Sequence, residues 1–150
     1  MKGVSEVNRC RINKDLCDYG PEPLIVNIER LSNLNPYYRI ALWTGRHLQV
    51  TLMSIRAGGD IGLEMHPNLD QFIRVVSGFG IVKMGNCRDK LNQHKKVDGN
   101  YAIVIPAGTW HNLINIGKQP LKLYSIYAPP GHPFGTIHET KEIAEEAEGH

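Results

Sequence analysis

The chain has 150 residues, 41% hydrophobic and 21% charged, enough for one domain that buries about 70% of the surface its unfolded form exposes. Its 15 glycines and 9 prolines exceed average usage only slightly, which excludes a low-complexity chain and suits many turns between short strands. Lys and Arg (17) against Asp and Glu (15) leave a net charge of +2 with no basic block, so the charge gives no argument for nucleic acid or a membrane as partner.

In chain order, Met1-Lys2-Gly3-Val4-Ser5-Glu6 has no apolar run behind its lysine, which predicts no signal peptide. No stretch approaches the length of a membrane span. Three cysteines, Cys10, Cys17 and Cys87, without a secretion signal read as free thiols in a reducing cytoplasm. A zinc site from Cys10 and Cys17 is disfavoured, because their gap is wider than structural zinc sites use. Residues 1–36 form an N-terminal extension broken at Gly20-Pro21-Glu22-Pro23 and Asn33-Leu34-Asn35-Pro36, with a short helix or turn from Ile28 to Leu34.

Residues 37–129 read as strands: Tyr38–Trp43, Leu48–Ile55, Gly62–His66, Gln71–Val76, Gly80–Met84, Tyr101–Ile105, His111–Ile116 and Leu121–Tyr127. They are rich in Val, Ile, Leu, Tyr and Thr and are separated by Gly, Pro, Asn or Asp. Their connections are too short for parallel crossovers, so the fold class is all-β, a sandwich or barrel. Gly58, Gly59, Gly78, Gly80 and Gly108 are expected at positive backbone angles in turns, and Pro106 at the end of a strand. Residues 130–150 form a tail. It opens with Pro130-Gly131-His132-Pro133-Phe134-Gly135 and ends in an acidic stretch from Glu139 to Glu148, expected to be a solvated or frayed helix.

Two segments carry a pattern. Gly58, Glu64, His66, Gln71 and Gly78 keep the spacing of G-x5-H-x-H-x3/4-E-x6-G, with Glu64 at the first histidine and Gln71 at the acidic position. Pro106, Gly108, His111 and Asn115 fit P-x-G-x2-H-x3-N completely, while Gly99 stands one residue early. These paired motifs resemble those of the cupin superfamily, and the chain is similar to small single-domain bacterial cupins often labelled sugar-phosphate isomerase-like. The resemblance covers 58–115 by motif and 37–129 by strand count. It implies a double-stranded β-helix, the jelly-roll barrel of cupins, closing around a metal.

The residues support a metal on their own chemistry. Glu64 and His66 are two apart, so on a strand they share a face. Gln71 opens the next strand after a turn, and His111 begins another. Two imidazoles, a carboxylate and an amide oxygen suit a divalent Mn, Fe, Zn or Ni. His132, in the turn-rich segment after the last strand, is the acid/base candidate. That segment is expected either to fold over the barrel mouth or to cover its bottom. Arg74 is expected on the face opposite Gln71, and Met65 and Trp110 to pack rather than contact a cofactor.

The leading expectation is a metal-dependent enzyme that isomerises, or moves a proton on, a small polar or sugar-like substrate. The alternatives are a non-haem iron dioxygenase using Glu64, His66 and His111, or a non-catalytic small-molecule-binding module. A homodimer is expected, because Tyr37, Tyr38 and Trp43 flank a small barrel with open sheet edges.

Overall fold

The structure, a computed structural model, describes residues 16–149. It contains α1 (Ile28–Leu34), β1 (Arg39–Thr44), β2 (Gln49–Ile55), β3 (Asp70–Ser77), β4 (Gly80–Gly85), β5 (Gln93–Val97), β6 (Ala102–Ile105), β7 (Trp110–Asn115), β8 (Leu121–Ala128), β9 (Ile137–His138) and α2 (Lys141–Ala147). Two sheets, ordered β6-β3-β8-β2-β1-β9 and β5-β4-β7, face each other. Their ladders are antiparallel, and the whole is the double-stranded β-helix expected.

The register makes the barrel interior polar at one end. Gln49, Tyr127 and Gln71 lie in one row across β2, β8 and β3; Thr51, Ser125 and Ile73 form the next; Met53, Leu123 and Val75 follow. All nine are buried. The apolar rows, with Ile55, Val82, Leu113 and Leu121, make the inner core. The polar row, with His111 buried near it, marks the end where chemistry can occur.

A second core covers the outside of the larger sheet. Leu31 of α1 packs there with Ile40, Leu42 and Leu52, flanked by Leu24, Ile28 and Tyr124. The described part of the N-terminal extension is therefore part of the fold. Asn27 caps α1 by accepting from the Arg30 N–H at 3.0 Å. Asp18, buried, accepts from Thr44 Oγ1 (2.6 Å), the Thr44 N–H (3.0 Å) and the Gly135 N–H (2.9 Å), so it ties both terminal segments to β1.

Four sequence expectations change. The stretch 62–66 is not a strand: Gly62 sits at φ +88, which breaks the extended run, and only the bridges Asp60–Ile114 and Glu64–His111 fasten this segment to β7. β5 was not expected, because Gln93-His94-Lys95-Lys96 is polar and exposed; it is an edge strand whose lysines face solvent. Gly58, Gly78 and Gly108 do hold positive φ, but Gly59 and Gly80 do not. Gly80 is in β4, where an added Cβ would meet Leu113 and Leu121 at 3.0 and 3.1 Å. Cys17 is disulfide-bonded, so its sulfur is neither a free thiol nor a zinc ligand. An odd count requires only that one cysteine stay unpaired, and Cys87 is free and exposed. Cys10 lies outside the described residues.

The tail is docked. β9 pairs with β1, matching Arg39 with His138 and Ile40 with Ile137. Thr140 caps α2 by accepting from the Ile143 N–H at 3.2 Å, and Ala144 is buried. Lys141 donates to Asp60, and Glu148 accepts from Arg39, so both ends of the acidic helix are tied to the barrel. The stretch carries only a small apolar face, but ion pairs fix it where hydrophobicity alone does not.

Candidate metal centre

Glu64 and His66 lie on the segment bridged to β7. Glu64 and His111 exchange backbone bonds: the Glu64 N–H donates to His111 O at 3.0 Å, and the His111 N–H to Glu64 O at 2.9 Å. The Gly108 N–H donates to His66 O at 2.8 Å, with Gly108 at φ +85, a conformation that disfavours any residue with a Cβ. The second motif thus supplies His111 and also fixes the backbone that presents Glu64 and His66.

The side chains meet. Glu64 Oε1 lies 3.4 Å from His66 Nε2 and 3.4 Å from His111 Nε2. One ligand atom from each of the three falls within 4.8 Å of the others, a group that can hold a metal ion. The His66 and His111 ring centroids are 5.6 Å apart. His111 Nδ1 lies 2.9 Å from the Thr109 carbonyl, which can only accept. Nδ1–H therefore donates to the Thr109 carbonyl, and Nε2 is the atom turned towards Glu64. This is the outer-shell arrangement that orients a ligating histidine. Burial alone would raise the Glu64 carboxyl, but His111 and His66 outweigh it and hold it well below the usual carboxylate range. Glu64 is an anion at neutral pH.

Gln71 sits on the buried face of β3 as expected, with Arg74 turned to the other face, where it donates to Asn100. Gln71 Nε2 donates to Ser125 Oγ at 2.8 Å, while Oε1 is buried with no hydrogen-bond partner. His66 Nε2 and His111 Nε2 are likewise buried and unpartnered. Buried polar atoms left unpaired are costly. Two ring nitrogens without a hydrogen-bond partner beside one carboxylate fit a divalent cation.

His132 is elsewhere. Its backbone N–H donates to Gln49 Oε1 and its carbonyl accepts from Gln49 Nε2, both at 2.9 Å, which holds the 131–135 segment at the polar end of the barrel. Its ring meets the Tyr127 ring at 5.2 Å, and Tyr127 in turn meets His66 at 6.0 Å. Tyr127 therefore touches both His132 and His66. Burial, reinforced by the nearby Arg39 charge and opposed by Glu64, lowers His132 from 6.5 to about 3. It is a neutral imidazole at physiological pH.

A cavity of about 630 Å³ opens on Glu64 and His66 and runs under α2. Tyr38, Arg39, Arg88, Lys141, Glu145 and Glu148 supply its polar lining. Met65 and Trp110 also line it, and the Arg88 guanidinium packs over the Trp110 ring at 5.6 Å. Strand alternation placed Trp110 opposite His111 correctly, but this face of β7 is covered by the cavity. Ser125, Arg39 and the residues of α2 were not singled out in the sequence. For Ser125 a signal existed: it is a polar residue at an inward position between Leu123 and Tyr127.

The cupin domain matches residues 51–127, just over half of the chain. The chain belongs to the cupin family. This cupin is 63% identical over 133 residues to the uncharacterized protein YrkC of Bacillus subtilis, covering 89% of this chain and 72% of that one. It is 44% identical over 114 residues to an uncharacterized protein of Acanthamoeba polyphaga mimivirus, covering 75% of this chain and 69% of that one. A crystal structure from Bacillus halodurans superimposes with a TM-score of 0.87 at 61% identity, covering 87% of this chain and 99% of that one. KdgF from a Halomonas species, at 17% identity and TM-score 0.56, covers 62% of this chain and 80% of that one and shares the fold alone.

Proposed function

We propose that this cupin is a metal-dependent enzyme that moves a proton on a small polar substrate held in the cavity under α2. The observation that carries this reading is the clustering of Glu64, His66 and His111, with both His Nε2 atoms and, on the neighbouring strand β3, Gln71 Oε1 buried without a hydrogen-bond partner. We assign Glu64, His66, Gln71 and His111 as ligands of one divalent ion. The ion supplies Lewis acidity towards a substrate oxygen. Trp110 and Met65 shield that end from water, and the Tyr38 phenol, raised by burial, keeps its proton, which it donates to the Ile61 carbonyl.

His132 acts in this reading by packing on Tyr127, which in turn packs on His66. The proton is taken by Glu145, a cavity carboxylate with no ion-pair partner among the described residues. Glu64, His66 and His111 are also the donor set of non-haem iron oxygenases, which gives the second reading.

Metal analysis of the purified protein is the first test, with about one divalent ion per chain expected. Deuterium uptake from solvent by candidate hydroxy-carbonyl compounds then reports proton transfer, and oxygen consumption with Fe(II) reports the oxygenase. A protein with no stoichiometric metal after Mn, Fe, Zn and Ni have each been supplied would sink both and leave a binding module. The proposal extends to assembly as a homodimer. No helix among the described residues is long and apolar enough to cross a membrane.

A further inference from the structure

The cavity over Glu64 contains a cation that the metal centre does not use. Arg39 opens β1, is only 3% exposed, and lines the same cavity as Glu64 and His66. Its Nη1 lies 3.3 Å from His138 Nδ1 and 3.3 Å from Glu148 Oε1. Its Nε is buried and has no hydrogen-bond partner. A guanidinium presents a planar fork shaped for both oxygens of a carboxylate, and leaving a buried donor unused is costly. Glu148 offers Nη1 one oxygen, at a length greater than a charge-assisted bond prefers, from a side chain 36% exposed. The Arg39 fork is underused, and the group now on it can move aside.

The charge of the cavity points the same way. Arg39, Arg88 and Lys141 face Glu64, Glu145 and Glu148, three cations against three anions. A divalent ion on the Glu64 centre tips that balance positive, which favours an anionic occupant. Ile61, Met65 and Trp110 add an apolar wall for the body of a small molecule.

We infer that the cavity takes a small organic acid, whose carboxylate sits on Arg39 in place of the Glu148 carboxylate while its other end faces Glu64 and His66. The net positive charge of the cavity and the second half of this statement rest on the metal-enzyme reading; the Arg39 geometry does not. Glu148 then acts as an internal stand-in that holds Arg39 until substrate arrives. A carboxylate is favoured over phosphate because the present occupant is a carboxylate and the fork matches two oxygens in a plane.

The test is a ligand-observed NMR titration of the purified protein, with its metal content measured on the same sample. The probes are propionate, 1-propanol of matched size and inorganic phosphate. Propionate is expected to bind at least about tenfold more tightly than 1-propanol. Glu148→Ala is expected to tighten propionate roughly fivefold, because the competing carboxylate is gone. Arg39→Lys is expected to weaken it about tenfold, since an ammonium keeps the charge but loses the fork. Unchanged or weaker propionate binding in Glu148→Ala overturns the proposal, as does phosphate binding more tightly than propionate. If Arg39→Lys does not fold, Glu148→Ala decides alone, since it alters a partly exposed side chain. A metal-free protein that shows the Glu148→Ala gain keeps the Arg39 site and ends the metal-enzyme reading. A metal-loaded protein without that gain does the reverse.

Discussion

Ser125 Oγ accepts a hydrogen bond from Gln71 Nε2 at 2.8 Å, and this contact fixes an amide whose buried oxygen has no hydrogen-bond partner. The two residues stand one row apart on neighbouring strands, since Gln71 pairs with Tyr127 and Ile73 with Ser125. A hydroxyl on β8 thus sets the orientation of the amide on β3 that we propose as a ligand.

That relationship gives a direct expectation for Ser125→Ala. The barrel should persist, with stability lower by about 1 kcal/mol for one lost buried hydrogen bond. Metal affinity should fall about tenfold or more, as for other second partners of metal ligands. Competition with a chromogenic chelator measures the affinity, and urea unfolding measures the stability. Unchanged affinity would remove Gln71 from the ligand set.

The ligands themselves should rank by donor strength. His111→Ala removes a buried imidazole whose place no neighbour can take, because Asn112 turns outward to Asp60, so occupancy should drop to background. Glu64→Ala removes the only charged ligand and should be nearly as severe. Gln71→Ala should lose about tenfold, because water can replace a neutral amide oxygen. Metal analysis after dialysis reads all three. If Gln71→Ala proved the most damaging, Gln71 would be a substrate-binding group instead.

Much of this was legible in the sequence. Seven of the expected strands appear with shifted ends, and the helix at Ile28–Leu34 matches residue for residue. The site was legible because its spacing is local: Glu64 and His66 are two apart, and the Pro106–His111 turn fixes its own geometry. What was missed depends on pairings distant in sequence. Arg39 reads as one charge at a strand start; only the return of β9 and α2 places His138 and Glu148 on it, about a hundred residues later. Ile25 and its neighbours gave no periodic signal because they sit in an irregular segment whose fit depends on the outer face of β1 and β2.

That segment bears on assembly. Ile25 is fully exposed, and with Val26, Leu48 and Trp43 it lines an open apolar hollow on the outside of the larger sheet. Contiguous exposed apolar surface marks interaction sites, and two-fold pairing of identical chains is the commonest closed assembly. Light scattering is expected to give twice the chain mass of 16.9 kDa, and Ile25→Glu to halve it. A monomer at micromolar concentration for the unaltered protein would end this reading.

Acid should weaken the fold in two overlapping windows. Burial, helped by the Arg39 charge, lowers His132 from 6.5 to about 3, and burial also lowers His138. The unfolded chain therefore takes up protons on these groups below about pH 6.5, while the folded protein resists doing so. Stability is full above that pH and declines as pH falls, for His132 down to about 3, by at most about 1.4 kcal/mol per pH unit for that group. Glu64 acts lower down. Despite burial, His111 and His66 depress it, so its contribution is present above about pH 4.5 and is lost as pH falls further. Between pH 7 and 5 the His132 and His138 terms should dominate. Urea midpoints of chelator-treated protein at pH 7, 6 and 5 should fall steadily. His132→Gln should make that fall shallower without abolishing it, because His138 contributes with the same sign. An identical slope in the variant would show that His132 is not held neutral by the fold.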